Sequence, residues 1–204
     1  MATSKKVRFG LKNAHYAVFN ETTGVYGTPV WIPGSVSLSL TREGETSDFY
    51  AEDETWASFE MNNGYSGELE VPFVNDQLLV DLLGYTKDAT SGVVAEPADI
   101  QAAEFALLFE QGGNKDKVAY VFYNCTLSRP EASMNTKSDS TDPDTSTLSI
   151  RMKQRNFEID NAVVPYVKSY VNSDDTAFST WFSTVTMPAT GATVVVDSGD
   201  TAQG

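Results

Sequence analysis

Residues 35–42, SVSLSLTR, set Val36, Leu38 and Leu40 against serine and threonine with a period of two. Only a strand puts alternate residues on one face, so this run has an apolar face and a hydroxyl face. The pattern returns in YSGELEVPF (65–73), where Tyr65, Gly67, Leu69, Val71 and Phe73 alternate with Ser66, Glu68, Glu70 and Pro72. It returns again at the start of TSTLSIRMKQRNFEI (145–159), through Leu148, Ile150 and Met152. KVAYVFYNCTLS (117–128) is almost continuously apolar, as a strand covered on both faces is. YAVFN and PVWIPG predict shorter strands near the start, and NETTG, NNG, QGGNKD and STDPD supply the turns between runs. The expected fold is mainly β: a β-sandwich or barrel-like domain with one or two flanking helices, a long hairpin loop and terminal arms.

Two segments break the period. NDQLLVDLLGY predicts a helix capped by Asn75, with Asp76 in its first turn and Gly84 as its stop. SDDTAFSTWFSTV predicts a second, capped by Ser173, with Ala177, Phe178, Trp181, Phe182 and Val185 forming one core-facing stripe. The chain of 204 residues suffices for one core, placed at 1–188. Residues 189–204, PATGATVVVDSGDTAQG from Pro188 onward, read as a C-terminal tail or arm; TVVV is able to add to a neighbouring sheet, and disorder is the other reading.

Catalytic chemistry finds little to work with. His15 is the only histidine, which removes histidine metal clusters, and it sits in an alternating run as a strand residue. Cys125 is the only cysteine; no internal disulfide can form, and its apolar setting predicts a buried, inert thiol in a reducing compartment. Phosphate-loop, dinucleotide and nucleophile-elbow motifs are absent from the sequence. No apolar run reaches the roughly 20 residues of a membrane helix, and MATSKKVRFGLKNAHY lacks the apolar centre of a secretory signal. No catalytic residue, metal or cofactor is expected.

The net charge of −14 disfavours direct binding to DNA or anionic membranes, and its distribution is uneven. No lysine or arginine occurs from Glu43 to Thr86, whereas Lys5, Lys6, Arg8 and Lys12 form a basic N-terminal segment. The two regions are either a contact, within a chain or between copies, or two solvated faces. Within the acidic region SDFYAEDETWASF carries Asp48, Glu52, Asp53 and Glu54 among Phe49, Tyr50, Trp56 and Phe59. Its acids lack the alternate spacing and turn glycine of a calcium loop. They leave open a weak case for a metal-dependent hydrolase, and Trp56, Tyr50 and Phe59 for a carbohydrate-binding or adhesion module. The segment belongs to a connection, about 43–64, between two paired strands, too long and too aromatic for a plain turn. Its aromatics are either a binding surface that another protein covers or a flap over the domain's own core.

FYAEDETWASFEMNNGYSGELEVPFVNDQLLVDLLGY, AEFALLFEQGG, YVFYNCTLSRP and NTKSDSTDPDTSTLSIRM, in that order, resemble the major tail protein of long, non-contractile-tailed bacteriophages. VKSYVN and DDTAFSTWFSTV resemble that family's C-terminal end, and the likeness covers roughly residues 5–188. The resemblance implies a structural virion protein without catalysis. It implies hexameric rings stacked into a tail tube, with the inner sheets joined around a channel. Its partners would be other copies of itself, the tape-measure protein and tail-end proteins. DNA would pass through the channel without specific binding during ejection. Its location would be the virion tail, after assembly in the host cytoplasm. On this reading Asp48, Phe49, Tyr50, Glu52, Asp53, Glu54, Trp56 and Phe59 lie at a subunit interface, as do Lys5, Lys6, Arg8 and Lys12. Glu68 and Glu70, on the polar face of their strand, are possible lumen-facing acids. Six copies make roughly −84 per ring, which repels phosphate.

Overall fold

Strand β1 (Arg8–Asn20) is longer than the YAVFN run suggests. Gly24, at a φ of 68°, then turns the chain into β2 (Val25–Tyr26), followed by β3 (Val30–Trp31). The computed structural model describes residues 7–51, 54–99, 101–113, 116–130 and 145–196, and for 46–51 and 55–60 the backbone path alone. After β3 come β4 (Ser37–Glu43), β5 (Thr46–Ala51), β6 (Glu54–Glu60) and β7 (Gly64–Val71). Helix α1 (Asp76–Leu83) starts where Asn75 accepts the Gln77 amide at 3.0 Å, and stops at Gly84, whose φ of 66° suits glycine. The short pair β8 (Thr86–Lys87) and β9 (Val94–Ala95) leads to β10 (Phe105–Gly113) and β11 (Val118–Leu127). The chain ends through β12 (Ser146–Lys153), β13 (Arg155–Ile159), β14 (Ala162–Tyr166), β15 (Lys168–Asn172) and β16 (Thr193–Val194).

The main sheet is antiparallel, in the order β2-β1-β10-β11-β12-β7-β4. Its centre is covered on both sides, which explains the unbroken apolar runs FALLF and VAYVF. One face of β1, β10 and β11 contributes Tyr16, Leu107 and Phe122 to a core closed by Leu78, Leu82 and Leu83 of α1 and by Leu69 and Ile150. The opposite face contributes Ala17, Leu108, Val121 and Tyr123 to a second core, closed by Phe157 of β13 and by Trp181. The fold is therefore mainly β, built on one large antiparallel sheet with a smaller sheet, β14-β13-β16, against one face.

β11 changes neighbour halfway along. Residues Val118 to Phe122 pair with β15, and Asn124 to Leu127 pair with β12. At the change two residues of β11, Tyr123 and Asn124, face one of β10, Ala106, since Phe105 pairs Cys125 and Leu107 pairs Phe122. Such a bulge bends a strand and raises its twist. The bend lets β12, β7 and β4 curl back toward β1, and an open groove is left between β4 and β1.

Two expectations change. The SDDTAFSTWFSTV segment forms only a short 3-10 helix, Thr176–Thr180, rather than an α-helix from Ser173. Ser173 instead accepts the Lys117 amide through its hydroxyl at 3.3 Å. The stripe still packs: Trp181 is buried and Phe178, Phe182 and Val185 rest on the second core. A segment of Ser and Thr has little helical preference of its own, and packing of the aromatics settles its path. The proposed arm from 189 onward is, up to Val194, part of the domain. Ala192 is buried, and β16 pairs with β13 through Phe157 and Val194. TVVV thus extends a sheet of its own chain; residues 197–204 lie outside the described residues.

Candidate functional site

The long connection is a ribbon. β4 pairs β7 from Ser37 opposite Glu70 to Glu43 opposite Gly64. The ladder then continues through Asn63 N–H to Glu43 O and Met61 N–H to Glu45 O, both 2.9 Å. β5 and β6 carry it on, from Thr46 opposite Glu60 to Ala51 opposite Glu54. Eight residues beyond Glu43 carry the ribbon roughly 25 Å further at the usual rise per residue. Among the described residues no third strand joins β5 or β6. Asp48, Phe49 and Tyr50 lie on β5, and Glu54, Trp56 and Phe59 on β6. Glu52 and Asp53 fall outside the described residues. A bare two-stranded hairpin is at best marginally stable in water, so this one calls for a covering surface.

The basic segment is divided. Lys5 and Lys6 fall outside the described residues, and Arg8 and Lys12 are exposed on β1. Arg8 donates to the Tyr120 hydroxyl at 3.3 Å, and neither Arg8 nor Lys12 makes an ion pair among the described residues. Lys12 stands opposite Glu110 in the ladder, yet it is Lys117 that lies 3.1 Å from that buried carboxylate. Asn13, held at a φ of 51°, donates to the other oxygen of Glu110 at 2.9 Å.

Glu68 and Glu70 share the outward face of β7. Ladder register sets them in rows across three strands: Ser37, Glu70 and Thr147, then Ser39, Glu68 and Ser149, then Thr41, Ser66 and Arg151. All nine are exposed or half-buried, and none is apolar. Glu70 accepts from Thr145 at 2.6 Å and from Ser37 at 2.9 Å. Those hydroxyls, Thr145 first, hold its pKa below the ordinary value, so it is a fixed anion at neutral pH.

The inner face of β4 borders the groove, a volume of about 510 Å³. Leu38 and Leu40 form one wall and Leu11 of β1 the other, over Phe109, Tyr120 and Phe122. Among the described residues Lys168 is the one charged residue in the lining; its Nζ sits 4.8 Å from the Tyr65 ring centroid. Sequence reasoning missed this groove. A trace of it is visible in the sequence, where Val36, Leu38 and Leu40 give β4 an apolar face; among the described residues β4 pairs with β7 alone, so that face needs cover from something non-local.

Elsewhere, Cys125 is fully buried in the first core and burial pushes its thiol pKa up. His15 lies on β1 with Nδ1 2.7 Å from Asn13 O and its ring near Phe182. Among the described residues no cluster of three His, Cys, Asp or Glu is placed to hold a metal ion, and no helix is long and apolar enough to cross a membrane. In comparisons with known proteins, no family model matches the chain and no curated protein matches it.

Proposed function

We propose that this chain is a structural subunit, not an enzyme, which self-assembles into stacked hexameric rings that form a phage tail tube. The observation that carries the reading is the ribbon: past a register shift at Glu43 the β4–β7 ladder passes into two strands that no third strand joins among the described residues, and their sequence holds four large aromatics. Such an element gains its stability from a neighbour. Two further features support it. β4 is paired only with β7 among the described residues, so its outer edge is open to strand addition. An edge and a hairpin on one chain are two unlike surfaces, which is what a heterologous contact needs in order to close a ring or extend a stack. The hydroxyl-rich face of β4, β7 and β12, fixed as an anion at Glu70, suits a wet channel through which DNA slides. The tape-measure protein, in this proposal, occupies that channel before ejection, tail-end proteins close the tube, and the assembled protein resides in the virion.

Negative-stain microscopy of the purified protein tests the proposal. Rings or tubes of one width are expected at high concentration. Removal of residues 47–60 is expected to leave a folded monomer that does not polymerise. A deletion variant that still makes normal tubes would remove the hairpin from the mechanism. A wild-type protein that stays monomeric and binds glycans, with Trp56→Ala abolishing the binding, would replace the proposal with a carbohydrate-binding module.

A further inference from the structure

We propose that the groove between β4 and β1 is the receptacle for the β5–β6 hairpin of a second copy of this chain. The inference rests on the tube-subunit reading and names the surface on which the hairpin lands.

Chemistry argues for the match from both sides. The groove is floored by three aromatic rings, Phe109, Tyr120 and Phe122, and walled by leucines, with Val36 at its rim 55% exposed. Among the described residues no carboxylate lines it. Lys168 stands within it, and Arg8 is tethered to Tyr120 at its edge. The groove therefore offers apolar surface under a positive rim. The hairpin sequence offers the complement, Phe49, Tyr50, Trp56 and Phe59 among Asp48, Glu52, Asp53, Glu54 and Glu60, with no cation between residues 43 and 86. Aromatic anchors with charges opposed at the rim are the usual division of labour in a protein interface.

Other occupants fit less well. Residues 1–6, 131–144 and 197–204 contain no aromatic residue, so none supplies the anchors that the floor calls for. The hairpin of the same copy is directed elsewhere. Its strands leave from the Glu43 end of β4, past Leu38 and Leu40 of the wall, across a shift of register at which Asn63 and Gly64 both face Glu43. A second copy brings its hairpin in from outside, roughly 25 Å of ribbon being ample to cross a subunit boundary.

Zero-length coupling of amines to carboxylates, followed by trypsin and mass spectrometry, tests this. Lys168 identifies the groove, and the hairpin falls in one long tryptic peptide ending at Lys87. The expected result is a Lys168 peptide joined to the hairpin peptide in assembled protein and not in monomer. A Lys168 joined to other acids, or to the hairpin equally in the monomer, overturns the proposal, the second result meaning that the hairpin covers its own groove. Lys168→Glu should raise the critical concentration for assembly about tenfold while the monomer keeps its native circular dichroism spectrum; an unchanged critical concentration also overturns it. Polymers without the link sink only this inference, whereas a wild-type protein that never polymerises sinks the tube reading itself.

Discussion

At the scale of single residues, two carboxylates behave differently because their partners differ. Glu70 is held by hydroxyls alone, and its pKa is lowered from the ordinary 4.5. A depressed folded-state pKa means stability that is present above that ordinary value and lost as pH falls through the lowered one. Thr145→Val should therefore move the Glu70 titration upward, which carboxyl carbon NMR reads directly; an unmoved midpoint contradicts the assigned cause. Glu104 is instead bonded to the guanidinium of Arg155 at 2.6 Å, and Arg155 lies 4.0 Å over the Phe19 ring. Glu104→Ala strands a mostly buried cation and should cost about 2–3 kcal/mol in denaturant unfolding, below the usual range for a fully buried pair because Glu104 is partly exposed. Glu104→Leu with Arg155→Met should recover most of that loss, and a double variant no better than the single would show that charge burial is not the cause. Cys125 was legible from its apolar run alone. The Glu104–Arg155 pair was not, since nothing in sequence relates positions 51 residues apart.

Among the elements, those whose signal is local were readable. α1 carries its own start and stop, and Asn75→Ala should lower stability by about 1 kcal/mol through the loss of the Gln77 amide's partner. β11 declared its double burial by composition. The 176–180 segment was misread because a stripe of apolar residues at spacings of three and one suits a 3-10 turn resting on a core as well as an α-helix. The ribbon's base shows a constraint of another kind. Gly64 has a φ of 101°, and a Cβ there would overlap the carbonyl oxygen of Met152. Both objections concern backbone, which cannot swing aside as a side-chain tip does. Gly64→Ala should cost on the order of 3 kcal/mol and loosen the ribbon from β12. Amide exchange would report this as lost protection at residues 43 and 64–66; a variant with native exchange there would mean that the turn adapts. NNG reads as a turn between runs, but the strand pairing passes through it at a register shift and the chain does not reverse there; the close approach of β12 belongs to long-range pairing that no local pattern carries.

For the molecule as a whole, the proposed assembly sets two electrostatic effects against each other, and their ranges differ. Each copy carries −14, so stacked rings repel through their total charge over long distances. The proposed hairpin–groove contact pairs opposite charges at close range. Salt acts on the two unequally, because the screening length falls from about 30 Å at 0.01 M to about 8 Å at 0.15 M and about 3 Å at 1 M. At the lowest ionic strength the repulsion between rings is unscreened and growth should be poor. Near 0.15 M that repulsion is largely removed while contacts a few ångströms apart persist, and growth should be greatest. At 1 M the rim charges are screened as well, leaving the aromatic anchors alone. Light scattering against salt concentration should thus pass through a maximum. Lys168→Gln should flatten the high-salt side, since it removes the attraction that salt would otherwise weaken. A steady rise in scattering to 1 M would show that the basic rim contributes nothing, and a steady fall from 0.01 M would show that the charge of the rings does not limit growth.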